Sequence, residues 1–154
     1  MPHTATIQSV RFSPDSRLIV AAGIDGAIRL WTIDGKLSTI FKGHKSAVWR
    51  VAFSPDGQTI ASASGDFSVK LWQLDGTLII TLKHERGMWG IAFSPDGKTL
   101  ASEGDDQLVI LWDLEQILHL NRLKYSCDWV QDYLKTNITV EKSDRSICNY
   151  SLFH

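Results

Sequence analysis

The string Phe-Ser-Pro-Asp stands at Phe12, Phe53 and Phe93, at intervals of 41 and 40 residues. Leu-Trp recurs at Leu30-Trp31, Leu71-Trp72 and Leu111-Trp112 with the same intervals. A histidine precedes each Phe by nine residues: His3, His44 and His84. An aspartate follows each histidine by 22 (Asp25, Asp66, Asp106), and a tryptophan follows each aspartate by six. Four residue types held in one register across three copies are a true repeat. Such a period means a row of like units, each covering its neighbour's apolar face.

Each copy has the pattern of short β-strands broken by turns. In the second, Val48-Trp49-Arg50-Val51-Ala52-Phe53 has strand residues and partial alternation. Ser54-Pro55-Asp56-Gly57 is a turn, since Pro presets φ and Gly accepts φ > 0. Thr59–Ser64 is a second strand, Ser68–Trp72 a third and Thr77–Leu82 a fourth. Asp75-Gly76, before the last of these, is a two-residue hairpin signal. Four strands in roughly 40 residues make one blade of a β-propeller.

The pattern His…Phe-Ser-Pro-Asp-Gly…Ala-Ser…Asp…Leu-Trp resembles the WD-repeat (WD40) propeller family over about residues 3–112. Only the last copy carries a literal Trp-Asp pair, Trp112-Asp113; the others read Trp31-Thr32 and Trp72-Gln73. The expected fold is all-β: an incomplete propeller of three four-stranded blades with a short α-helical C-terminal tail. The repeats span about 3–43, 44–83 and 84–112, within a segment 1–112, and the tail spans 113–154. The last blade is expected to lack its fourth strand, because a helical pattern follows Trp112.

His44, Ser62 and Asp66 include the residue types of a Ser-His-Asp hydrolase. That chemistry needs an exposed serine, a base in reach and oxyanion donors. The set recurs as His84, Ser102 and Asp106, and in part as His3 and Asp25, with Ala21 in the serine's place. An active site is rarely built three times in one small domain, and no Gly-x-Ser-x-Gly elbow is present. The resemblance implies instead a buried hydrogen-bond chain within each blade. Its members are His44, Ser62, Asp66 and Trp72; His84, Ser102, Asp106 and Trp112; and His3, Asp25 and Trp31. The first copy is then the least stable.

The same resemblance places partner contacts on the loop face, four residues before each Phe: Gln8, Trp49 and Trp89. Companion positions are Thr6, Ala47 and Gly87, and Ile24, Gly65 and Asp105. Large aromatics on such a face are typical hot-spot residues. The alternative is that both indoles pack between blades as core.

Past Trp112 the period changes. Asp113-x-x-Gln116 suits a helix start, and Leu114, Ile117 and Leu118 lie on one helical face. A second helical stripe runs through Cys127–Lys135, where Trp129/Tyr133 and Val130/Leu134 are four apart. This segment resembles tails that close bacterial multi-repeat WD proteins. Three blades do not close a ring, since propellers have four to eight. The expectation is a part of a larger propeller that self-associates or pairs with another propeller fragment, forming for instance a two-chain ring of six blades.

Composition narrows the function. Sixteen Lys+Arg against 17 Asp+Glu give a formal net charge of −1, which disfavours nucleic-acid or anionic-lipid binding. Two cysteines are too few for a disulfide framework or a four-thiolate metal site. No apolar run approaches the roughly 20 residues of a membrane span, and the N-terminus carries no signal-peptide pattern. Asn137-Ile138-Thr139 and Asn149-Tyr150-Ser151 match the glycosylation pattern by accident in a chain without a signal. The expected protein is a cytoplasmic, cofactor-free, non-enzymatic scaffold that binds proteins or peptides, with no nucleic acid and no membrane as partner. A serine hydrolase using His44, Ser62 and Asp66, or a non-functional remnant of a larger gene, are the alternatives.

Overall fold

The chain's computed structural model describes residues 5–105 and 107–119. By compactness the chain divides into two units, Met1–Leu114 and Glu115–His154. The first holds three antiparallel sheets, each a meander of neighbouring strands. Sheet 1 is β1 (Ile7–Phe12), β2 (Leu18–Gly23), β3 (Ile28–Thr32) and β4 (Leu37–Phe41). Sheet 2 is β5 (Val48–Phe53), β6 (Thr59–Ser64), β7 (Ser68–Gln73) and β8 (Leu78–Lys83). Sheet 3 is β9 (Met88–Phe93), β10 (Thr99–Gly104) and β11 (Val109–Asp113), with no fourth strand among the described residues. The incomplete propeller expected from the repeat is the fold observed.

Local chemistry explains the turns. Ser54 Oγ–H donates to Asp56 Oδ1 (2.5 Å), and the same carboxylate oxygen accepts the Gln58 N–H (3.0 Å). The Thr59 N–H donates back to Ser54 Oγ at 2.9 Å. Gly57 follows at φ 69°, where a side chain is strained. Sheet 3 repeats the motif with Ser94, Asp96 and Gly97, and sheet 1 with Ser13, Asp15 and Ser16. Ser16 holds φ 60° without being glycine.

The Asp75-Gly76 hairpin differs from a two-residue loop. Gln73 N–H bonds the Thr77 carbonyl (2.8 Å) and Gly76 N–H bonds that of Gln73 (3.0 Å). Three residues, Leu74–Gly76, form the loop, with Gly76 in the left-handed region at φ 97°. The flanking ladder shifts register between Leu71 and Trp72. This is a type I turn plus bulge, the next most common hairpin solution.

The sheets stack side by side. Val20, Ala22, Ile28, Leu30 and Phe41 on one face of sheet 1 form a single core with Val48, Val51, Ile60 and Trp72 of sheet 2. The opposite face of sheet 2, with Ala61, Ala63, Val69, Leu71 and Leu82, is buried as well. There β9 runs beside β5 and β6 and brings in the buried Met88. The middle sheet is therefore covered on both faces, which is why β6 and β7 are buried almost throughout.

A helix occupies residues 114–119. The Leu114 N–H donates to the Lys98 carbonyl at 2.9 Å. The helical stripe expected at Cys127–Lys135, and His3 and Asp106 of the repeat, lie outside the described residues. No described helix is long and apolar enough to cross a membrane.

Candidate functional site

Two groups of side chains stand out, one inside sheet 2 and one at its loop end. Inside, His44 comes from the loop before β5, Ser62 from the middle of β6, Asp66 from the β6–β7 turn and Trp72 from β7. His44 Nδ1 lies 2.9 Å from Asp66 Oδ2, and His44 Nε2 lies 2.7 Å from Ser62 Oγ. Trp72 Nε1–H donates to the same Ser62 Oγ at 2.8 Å. An ionised carboxylate only accepts, so Nδ1 carries the ring proton and Nε2 accepts from the Ser62 hydroxyl. The chain therefore runs Trp72 → Ser62 → His44 → Asp66, each group donating to the next.

Asp66 is locked further. Ser68 Oγ–H donates to its Oδ1 (2.6 Å) and the Lys45 N–H to its Oδ2 (2.9 Å). Burial acts to raise the Asp66 carboxyl. The hydrogen bonds from Ser68, the Lys45 amide and His44 outweigh it and hold the group below the usual carboxylate range. Burial pushes the His44 ring below its ordinary value, against the pull of Asp66, and the nearby Lys70 adds to the lowering. The His44 side chain is 0% exposed and that of Asp66 9%. Ser62 is also 0% exposed, so the only nucleophile in the set is closed to solvent.

The packing around Trp72 explains the Gly43-His44 pair. A Cβ on Gly43 would sit 3.1 Å from Trp72 Cη2, so the ring occupies the space of a side chain. The indole also meets Phe41 edge-on at 5.9 Å between ring centres and His44 at 6.0 Å.

In sheet 3, Trp112 Nε1–H donates to Ser102 Oγ at 2.8 Å, and His84 Nδ1 accepts the Arg86 N–H at 3.4 Å. In sheet 1, Trp31 and Ala21 are both buried. Asp25 there accepts from Arg29 Nη2 (2.8 Å) and the Ala27 N–H (3.2 Å). Arg29 takes the place that Lys70 holds one repeat later.

The second group lies at the loop ends of sheets 2 and 3. Trp49 and Trp89 stack with centroids 4.7 Å apart and planes tilted by 39°. Trp89 is 42% exposed, and its Nε1–H donates to Asp105 Oδ1 at 2.5 Å. Trp49 is half-buried, and its Nε1 is closed to water with no hydrogen-bond partner among the described residues. Two glycines make room. A Cβ on Gly65 would lie 3.1 Å from Trp49 Nε1, and one on Gly87 would lie 3.0 Å from Asp105 Oδ2. Gln8 in β1, and Thr6 and Ile24 just outside β1 and β2, are exposed. Among the described residues no group of three or more His, Cys, Asp or Glu could hold a metal.

The family model for the WD domain, G-beta repeat matches residues 1–32, 35–73 and 76–113, well over half of the chain. The chain belongs to the WD40-repeat family. WD40 repeats generally mediate protein–protein interaction, and proteins built from them are typically non-enzymatic scaffolds. The matched WD40 segments are out of phase with the sheets. The second begins with β4, which closes sheet 1, and continues with β5, β6 and β7 of sheet 2. The third begins with β8 and continues into sheet 3. The second and third WD40 units thus each tie two neighbouring sheets together covalently. Repeat reasoning missed Ser68 and the Lys45 amide as anchors of Asp66. Ser68 stands only in the second copy, where the first has Ala27 and the third Leu108, so the repeat itself carried no signal for it. A serine two residues after an aspartate was the available local cue.

Proposed function

We propose that this WD40 chain is a non-enzymatic protein- or peptide-binding scaffold whose contact surface is the loop face carrying Gln8, Trp49, Trp89 and Asp105. The observation that carries this reading is the stacked Trp49–Trp89 pair, with a half-exposed indole beside the Asp105 carboxylate. A rigid aromatic with a polar tip offers large contact area at low entropic cost, as binding hot spots do.

His44, Ser62, Asp66 and Trp72 act in this reading as internal bracing. Their distances match those of a hydrolase triad, but Ser62 Oγ is closed to solvent and already engaged by the Trp72 indole. A substrate carbonyl has no approach to it. Incubation with a fluorophosphonate probe leaves Ser62 unlabelled, and labelling there would restore the hydrolase alternative.

The binding reading is tested with a random peptide library displayed on phage and selected on the immobilised chain. Selected peptides are expected to bind the wild type and to lose about thirtyfold or more in affinity with Trp89→Ala, the scale of a hot spot. Peptides that bind Trp89→Ala and Asp105→Ala as tightly as the wild type would overturn it.

A further inference from the structure

The stack contains two internal interfaces, and each joins an outgoing face of one sheet to an incoming face of the next. The outgoing faces are Val20, Ile28 and Leu30 in sheet 1 and Ala61, Val69 and Leu71 in sheet 2, all buried. The repeat interval carries these positions on to Ala101, Val109 and Leu111 in sheet 3. There Val109 and Leu111 are each 68% exposed. The incoming faces carry Val48, Val51 and Phe53 in sheet 2 and Met88, Ile91 and Phe93 in sheet 3, all buried or half-buried. One interval back they become Ile7, Val10 and Phe12, which are 44%, 45% and 59% exposed.

One end of the stack is therefore an uncovered outgoing face and the other an uncovered incoming face. Both have the residue character of surfaces that the same chain buries twice in its own interior. Apolar side chains at these register positions are not scattered singly, and contiguous exposed apolar surface of this kind marks an interaction site. We propose that a second copy of this chain covers both faces, sheet 3 of each copy lying on sheet 1 of the other, so that two copies close a ring of six sheets. The continuity of the internal interface selects the occupant, because a second copy presents at each open end the face that the chain's own sheets already pair with. Ring size selects the copy number. Propellers close with four to eight blades, a range that two copies reach and one or three do not. Both intermolecular contacts are then equivalent under one two-fold axis. This surface is separate from the loop face, and neither reading depends on the other.

One residue opposes the contact. Glu103 stands on the outgoing face where sheets 1 and 2 have Ala22 and Ala63. Desolvating its carboxylate weakens the dimer, and Glu103→Ala tightens it by about tenfold or more.

The test uses the full 154-residue chain in sedimentation equilibrium over a range of concentrations. The wild type is expected to reach twice the chain mass and to stop there. Leu111→Asp destroys the outgoing face and Phe12→Asp the incoming one. Both residues are exposed in the single chain, so circular dichroism stays unchanged while each variant alone sediments as a monomer. An equimolar mixture of the two variants forms a one-to-one complex, because each keeps the face that the other lacks. Trp89→Ala leaves the dimer mass unchanged. A wild type that stays monomeric at every concentration, a mass that grows past two copies, or a mixture that remains monomeric would each overturn the proposal.

Discussion

Replacing Ser62 by alanine removes one oxygen that holds two other groups in place. Trp72 Nε1–H loses its acceptor at 2.8 Å, and His44 Nε2 loses the hydroxyl at 2.7 Å. Both groups lie in the interior of the middle sheet, where water does not replace the lost partner. Each buried polar group left unsatisfied costs about 1–3 kcal/mol. The two losses share one hydroxyl and are not additive, so the combined cost is about 2–4 kcal/mol. The change removes a single oxygen atom, less than a methylene, so any cavity cost stays below about 1 kcal/mol. Urea denaturation followed by tryptophan fluorescence reads the effect. With an m-value of about 2 kcal/mol per molar, the midpoint falls by about 1–2 M. All samples are compared at one protein concentration, since association makes the midpoint concentration-dependent. A second variant, Trp72→Phe, removes the indole donor in advance. In that background Ser62→Ala is expected to cost about 1 kcal/mol less. A loss below about 0.5 kcal/mol, the range of an ordinary surface substitution, would refute the bracing argument. So would the absence of coupling to Trp72.

Three further outcomes are expected. Because the folded state holds the His44 ring below its ordinary value of 6.5, it disfavours the protonated ring; that stability is fully present above about pH 6.5 and is lost as pH falls toward the lower folded value. The urea midpoint therefore drops between about pH 7 and pH 5 more steeply in the wild type than in His44→Asn, and a midpoint that rises on acidification would contradict this. Ser16→Gly relieves a left-handed φ of 60° at the position where Gly57 and Gly97 stand in the other sheets, and raises stability by about 0.5–1 kcal/mol in the same denaturation assay. Gly65→Ala places a methyl 3.1 Å from Trp49 Nε1 and 3.2 Å from Ser46 Oγ, so it alters the near-ultraviolet dichroism of the Trp49–Trp89 stack; an unchanged spectrum would mean the loop yields freely.

Much of the fold was legible in the residues because its determinants are local. Ser54-Pro55-Asp56-Gly57 encodes its own turn through one serine, one carboxylate and one left-handed glycine, all within a few residues. The strand expected at Val48–Phe53 and the one at Thr59–Ser64 coincide with β5 and β6 for the same reason. Asp75-Gly76 was legible as a hairpin but not as a three-residue loop, since the number of loop residues depends on how the flanking ladder takes up its bulge. The internal bracing was legible only as a recurrence of residue types. The recurrence named His44, Ser62, Asp66 and Trp72, but it did not supply Ser68, which breaks the repeat and yet holds Asp66.

What the chain order alone determined is the unit: a period of about 40 residues, its turns, its strands and the residue types placed at each register position. What only the tertiary structure decided is which copies of a position are covered. Leu30, Leu71 and Leu111 are the same residue in the same place, yet two are buried and the third is open to water. Nothing within a repeat distinguishes them, because burial depends on whether another sheet lies alongside. The stacking of Trp49 on Trp89 is decided in the same way, by two strand ends 40 residues apart in sequence that meet only when β5 and β9 pack side by side.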